Sequence, residues 1–353
     1  MKLLNVRNLS AKIGNFELKS INFSVEKGEI FVIVGENGAG KTKLLDAIAG
    51  FLPLTKGDIF LNGENITRKI PQERNMGYIF QTLALFPHLT VRENILYGAK
   101  LRKLKNAEEK FEEVVSFFRI EKLLDRKPAS LSGGEKQKVA LARTLILRPK
   151  IILFDEPTSA LSPGERLRVD EEIKKTLKKF GITAVFVSHN MEEAYFFGGR
   201  VGVMQNGKLV QIGTPDEIKY KPASEFVAFT FGEVNIFTCT VKESANGVSV
   251  ARCGNFEIKF LGDFEIGRKL KLAVRPEDIV ISPEQAKTSA RNVIRGKISE
   301  ILSRGPLVKV VADCGNKVSV YISKQSFEEL NLSRGKEVSL RFKITAPHVL
   351  PDK

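Results

Sequence analysis

Five apolar residues, Ile30-Phe31-Val32-Ile33-Val34, run straight into Gly35-Glu36-Asn37-Gly38-Ala39-Gly40-Lys41-Thr42, and Leu44, Leu45, Ala47, Ile48 and Ala49 then recur at helical spacing. No other feature constrains the fold so tightly. A continuous apolar run marks a strand covered on both faces, which requires a mainly parallel sheet with helices packed against it. The octet fits the pattern G-x-x-x-x-G-K-[ST]. Its glycines let backbone N–H groups converge on phosphate oxygens, and the helix that opens at Lys41 adds the positive end of its dipole. Gly35, Asn37, Gly38, Ala39 and Gly40 form the cradle, Lys41 reaches the β- and γ-phosphates of a nucleotide, and Thr42 offers its hydroxyl to Mg²⁺. The strand before and the helix after distinguish this loop from a glycine turn with a stray lysine.

Ile151 to Phe154 and Ile182 to Val187 are two more buried strands, separated by a helical stretch around Arg166 to Phe180. The first ends in Asp155-Glu156. An apolar strand presents carboxylates only at its end, where Asp155 can hold Mg²⁺ through water and Glu156 can act as general base on the attacking water. Leu131-Ser132-Gly133-Gly134-Glu135 precedes a helix rich in Ala and Leu. Ser132 caps that helix, whose free N–H groups suit a γ-phosphate. Before the first buried strand, Leu4 to Arg7 and Phe16 to Val25 alternate apolar and polar residues, as half-buried antiparallel strands do. From Val91 to Arg126 the Lys/Glu interleaving reads as a solvated amphipathic helical face.

With these three motifs in this order, the chain resembles an ATP-binding cassette (ABC) ATPase over residues 1 to about 230. The resemblance implies an α/β P-loop NTPase with antiparallel β and helical subdomains, the helical one at about 84–140, using ATP and Mg²⁺. It assigns Gln81, after Gly77-Tyr78-Ile79-Phe80, to the metal with Thr42 and Asp155, and His189 to the γ-phosphate beside Glu156. It also implies a head-to-tail homodimer in which Ser132, Gly133 and Gly134 of one chain face the phosphate loop of the other. Four positions depart from the family pattern. Ile13 stands where an adenine-stacking aromatic belongs, with Phe16 close by; Lys43 replaces a hydroxyl residue next to the α-phosphate; Glu135 replaces Gln; and Ser162, in Ser159-Ala160-Leu161-Ser162, replaces Asp.

After about Phe231 short strands with Gly, Asn and Asp turns replace the helical pattern, which sets a small all-β, OB/TOBE-like domain at 231–353. Val274-Arg275-Pro276-Glu277-Asp278 is similar to the regulatory β-domain of importer ATPases. Thr288-Ser289-Ala290-Arg291-Asn292, then Gly296, then Arg341-Phe342-Lys343-Ile344-Thr345 look like the molybdate-binding Mop/TOBE module, with its core at about 288–348. The full pattern is similar to the molybdate/tungstate importer ATPases. That resemblance implies a regulatory oxyanion pocket of Ser289, Arg291, Lys343 and Thr345. Two cations and two hydroxyls are apt for a tetrahedral dianion. It further implies membrane permease subunits and, through them, an extracytoplasmic oxyanion-binding protein, with the chain on the cytoplasmic face of the membrane. Phe86-Pro87-His88-Leu89 lies where the family's helical subdomain meets the permease. Importers of sulfate, sugar or metal are the alternative, then a soluble ABC ATPase; one cassette and no extended heptads speak against the last.

Composition sorts the remaining classes. The chain has 353 residues and a net charge of +15, split as 36 − 27 = +9 before residue 230 and 20 − 14 = +6 after it. Charge spread this evenly makes no basic arm, and nucleic acid is not among the expected partners. The longest uncharged stretch, Asn75 to Val91, carries Asn, Gln, Thr and His and is no membrane span. Cys239, Cys253 and Cys314 have no metal-ligand spacing and read as plain buried thiols in a reducing compartment.

Overall fold

The computed structural model describes residues 1–159, 161–282 and 290–351. The chain divides into two compact units, Met1–Pro215 and the residues from Asp216 onward. In the first, Phe16–Glu26, Lys2–Ile13, Lys56–Leu61 and Glu64–Asn65 form an antiparallel sheet in that spatial order. The second sheet runs Lys208–Gly213, Arg200–Gln205, Ile30–Val34, Thr183–Ser188, Ile151–Asp155, Met76–Ile79. Its last five strands are parallel, and every residue of Ile151–Asp155 and Thr183–Ser188 is buried, which is why these segments read as unbroken apolar runs. The helix Lys41–Ala49 lies in one core with both sheets, through Leu44, Leu45 and Ile48 against Leu4, Ile33 and Ile151.

That helix is fixed at its far end by Arg74. The guanidinium is buried and donates to the carbonyls of Ala47, Ile48, Thr67 and Lys69 at 2.7–3.1 Å. It closes helix carbonyls that have no partner within the helix and sets a cation at the negative end of the dipole. Gly50 makes this possible: a Cβ there would sit 2.6 Å from Arg74 Nε, and its φ of +89° belongs to glycine. The helical region holds Val91–Leu101, Ala107–Phe118 and Gly133–Leu145, the first opened by a Thr90/Glu93 capping box.

The second unit is two five-stranded antiparallel sheets around one core. It starts earlier than the 231 expected from the sequence. Arg275 donates to the carbonyls of Lys219, Gly232 and Glu233, and the His348 ring meets the carbonyl of Pro222 at 3.3 Å. These bonds draw the helices Pro215–Tyr220 and Glu225–Thr230 onto the β-strands, although their helical pattern reads as cassette. The cysteines also differ from expectation. Cys239 and Cys253 form a disulfide, because antiparallel pairing of Asn235–Ala245 with Val248–Cys253 sets them opposite each other, Cα atoms 4.3 Å apart. Strand register, which residue spacing does not reveal, brings the sulfurs together. Cys314 remains a buried free thiol.

Candidate nucleotide site

The carboxyl ends of four parallel strands converge, the usual place for a ligand in an open α/β sheet. Val34 leads into the phosphate loop, Ile79 leads through Phe80 to Gln81, Asp155 is followed by Glu156, and Ser188 by His189. Thr42 Oγ1 donates to Asp155 Oδ1 at 2.8 Å. The nearly buried Lys41 donates through Nζ to the carbonyls of Gly35 and Glu36 at 2.9 and 3.1 Å and stands 3.9 Å from Glu156 Oε1. Glu156 Oε2 meets His189 Nδ1 at 3.0 Å. Glu156 itself has φ +45°, a strained conformation for a non-glycine residue, held as its N–H donates to the carbonyl of Val187. Gln81 Nε2 donates to Ser159 Oγ at 3.2 Å.

Charge in this cleft is arranged for an anion with a cation. Burial lowers the pKa of Lys41, and Glu156 and Asp155 push the other way. Burial, Asp46 and Glu156 raise that of Asp155, against the Thr42 hydrogen bond and Lys41. The Tyr78 hydroxyl, pushed up by burial and by Asp155, donates to Asp46 at 3.2 Å, and Asp46 pairs with Lys43 at 3.6 Å. A hydroxyl and a carboxylate in contact, with a carboxamide one strand away, are the hard oxygen donors that Mg²⁺ takes, so Thr42, Asp155 and Gln81 suit the ion.

Other expected residues lie elsewhere. Ser132 caps Gly133–Leu145 in a reciprocal box with Glu135, so the Gln-to-Glu departure keeps the capping chemistry. Ser162 is likewise the N-cap of Pro163–Phe180, bonded to Glu165; Ala160, two residues earlier in the sequence, is outside the described residues. Ile13 and Phe16 are paired across a hairpin, and the Phe16 ring lies over the phosphate loop, where a Cβ on Gly40 would meet it at 2.5 Å. In the second unit, Lys343 and Thr345 line a cavity of about 490 Å³ with Arg341, Tyr220, Glu277 and Asp278. Arg291 is exposed and follows Ala290 on the cavity wall, whereas Ser289 is outside the described residues. Asn292, which the sequence does not single out, ties this stretch to Lys343 and Lys259 through their backbones. Ser159, Tyr78 and Asp46 carry no local sequence signal for their pairings, because their partners lie on other elements of the chain.

Fold and cleft together define a P-loop nucleotide hydrolase with Glu156, at a strand end, beside His189. The chain belongs to the ABC transporter family, among its import ATP-binding proteins, and is an ATPase. The ABC transporter model matches residues 18–159 and the TOBE domain model 288–349. The molybdate/tungstate import ATP-binding protein of Pyrococcus horikoshii is 42% identical over 99% of this chain and 100% of that protein. That of Thermococcus kodakarensis is 44% identical over 84% of this chain and 88% of its own. Among solved structures, a dimeric ATP-binding cassette in a post-hydrolysis state with ADP and Pi has 28% identity and a TM-score of 0.53, covering 60% of this chain and 98% of its own. Among the described residues no helix is long and apolar enough to cross a membrane.

Proposed function

We propose that this chain drives an importer for molybdate or tungstate, working as a homodimer on permease subunits at the cytoplasmic face of the membrane, with an extracytoplasmic oxyanion-binding protein on the far side. The observation that carries this reading is likeness through both units, over the full length, to molybdate/tungstate import ATP-binding proteins. In hydrolysis, Lys41 leaves the Gly35 and Glu36 carbonyls for the β- and γ-phosphates. Glu156 takes the proton of the attacking water, and His189, bonded to Glu156, contacts the γ-phosphate. Thr42, Asp155 and Gln81 would hold Mg²⁺, which when bound would neutralise charge on the phosphate oxygens. Gly35, Asn37, Gly38, Ala39 and Gly40 wrap the phosphates, while Lys43 stands by the α-phosphate and Ile13 and Phe16 by the base. Ser132, Gly133 and Gly134 of the second copy complete the site, so the homodimer makes two.

In the second unit Lys343 and Thr345, with Ser289 and Arg291, form the oxyanion-sensing pocket. The two acids on its wall oppose an anion less than their formal charges suggest. Glu277 is paired with Lys219 at 2.9 Å, and burial together with Glu277 raises the Asp278 pKa. The deciding measurement is ATP-driven uptake of molybdate, tungstate and sulfate into vesicles holding the whole transporter. Uptake of molybdate or tungstate that a hundredfold excess of sulfate leaves standing is expected. Sulfate taken up as well as either would overturn the substrate.

A further inference from the structure

The segment after Glu156 and the segment after His189 meet twice. The first meeting is Glu156 with His189 in the cleft. The second lies deeper. Thr158, two residues beyond Glu156, donates through Oγ1 to Glu193 Oε1 at 3.0 Å, and Glu193 stands four residues beyond His189. Both residues are buried, as is Asp170 on the adjoining helix Pro163–Phe180, at 4% exposure. Among the described residues Asp170 Oδ1 has no hydrogen-bond partner, and neither has Arg166 Nε, one turn back on the same helix. Asp170 therefore has a buried carboxylate oxygen left unpaired, with a guanidinium nitrogen one turn away in the same condition.

We propose that Thr158, Glu193 and Asp170 form a clamp that sets Glu156 against His189, and that the buried, unpartnered carboxyl of Asp170 keeps a proton to do so. Two ionised carboxylates so deeply buried repel each other more than Arg166 offsets, so one proton stays. Glu193 accepts the Thr158 hydroxyl, and the proton resides on Asp170. Burial first, then Glu193, raise Asp170 to about 7, with Arg166 opposing. The other charges on the packed elements are engaged elsewhere: Lys174 with the Phe196 carbonyl, and Lys138, from Gly133–Leu145, with Glu172 at 3.3 Å. These are positioning residues. They reach the γ-phosphate only through Glu156 and His189, and the inference rests on the roles proposed above for those two.

The sign follows from the proton on Asp170. Below about pH 7 the clamp is protonated once and closed; above it the proton leaves, the carboxylates repel, and His189 loses its fixed place. The test is steady-state ATP hydrolysis by the full-length chain from pH 6 to 9, with Asp170→Asn, Thr158→Val, Thr158→Ser and Glu156→Gln beside wild type. Wild-type kcat is expected to fall several-fold on the alkaline side of pH 7, while Asp170→Asn, which keeps the shape without the charge, stays flat. Thr158→Val is expected to lose about tenfold in kcat with KM for ATP within twofold, and Thr158→Ser to restore it. A thermal midpoint for each variant separates lost folding from lost positioning. Superimposed pH profiles for wild type and Asp170→Asn, or a Thr158→Val loss confined to KM, would sink the clamp while leaving the base intact. Glu156→Gln as active as wild type would instead remove the base assignment, and the clamp with it.

Discussion

At the residue scale, the proposed mechanism gives Lys41 and Glu156, which share a cleft, different steps, and their substitutions should then separate. Lys41→Ala removes the charge on the β- and γ-phosphates. A charged hydrogen bond is worth about 1.5–3 kcal/mol, so ATP affinity should weaken by about 10- to 100-fold by equilibrium titration. Glu156→Gln keeps the shape and loses the base, so affinity should hold while kcat falls by about 100-fold or more. Equal losses in affinity for both variants would mean that Glu156 binds rather than reacts. The adenine end gives a second test. Phe16 packs on Gly40, and Ile13 beside it offers no ring to the base. Recognition then falls to the triphosphate, and ATP should be preferred over GTP by less than about tenfold, or ~1.4 kcal/mol, in competition binding. A larger preference would reveal another contact that reads the base.

The elements that carry the site were legible because each is announced locally. The apolar runs at Ile30 and Ile151, the glycine loop and the Ser132 cap are contiguous patterns whose physics needs no distant partner. What escaped depends on register and long-range pairing. Arg74 looks like one surface cation among many, yet it is buried at the C-terminus of the phosphate-loop helix with four hydrogen bonds. Arg74→Met should leave buried carbonyls unpaired, at about 1–3 kcal/mol for a lost partner, and lower the urea midpoint of the full chain. An unchanged midpoint would show that water replaces the guanidinium. The disulfide escaped for the same reason. It closes a loop with a sequence separation of 14, for which chain entropy gives about 3 kcal/mol. Reduction, or Cys239→Ser with Cys253→Ser, should lower the stability of the second unit by that order, read by chemical denaturation with and without reductant. Two free thiols at this pair in the protein as isolated from cells would refute the bond.

For the whole molecule, the two units are coupled only if a ligand of one changes the affinity of the other. The proposed oxyanion pocket makes this measurable. If molybdate or tungstate bound at Lys343, Thr345, Arg291 and Ser289 opposes closure of the paired cassettes, it must bind the open state better, because a ligand shifts an equilibrium only by its differential affinity. Reciprocity then fixes a second result without further assumption: ATP must weaken oxyanion binding by the same factor by which the oxyanion weakens ATP. Typical couplings of about 1–3 kcal/mol correspond to about 5- to 150-fold. The measurement is a pair of titrations on the assembled transporter with Glu156→Gln, which binds ATP without consuming it, molybdate or tungstate being titrated with and without ATP and ATP with and without oxyanion. The two factors should agree, and both should return to one in Arg291→Ala and in Lys343→Ala. Coupling that survives both substitutions would place the sensor elsewhere. Oxyanion binding that ATP leaves untouched would make the second unit a spacer that binds an anion without regulating the motor.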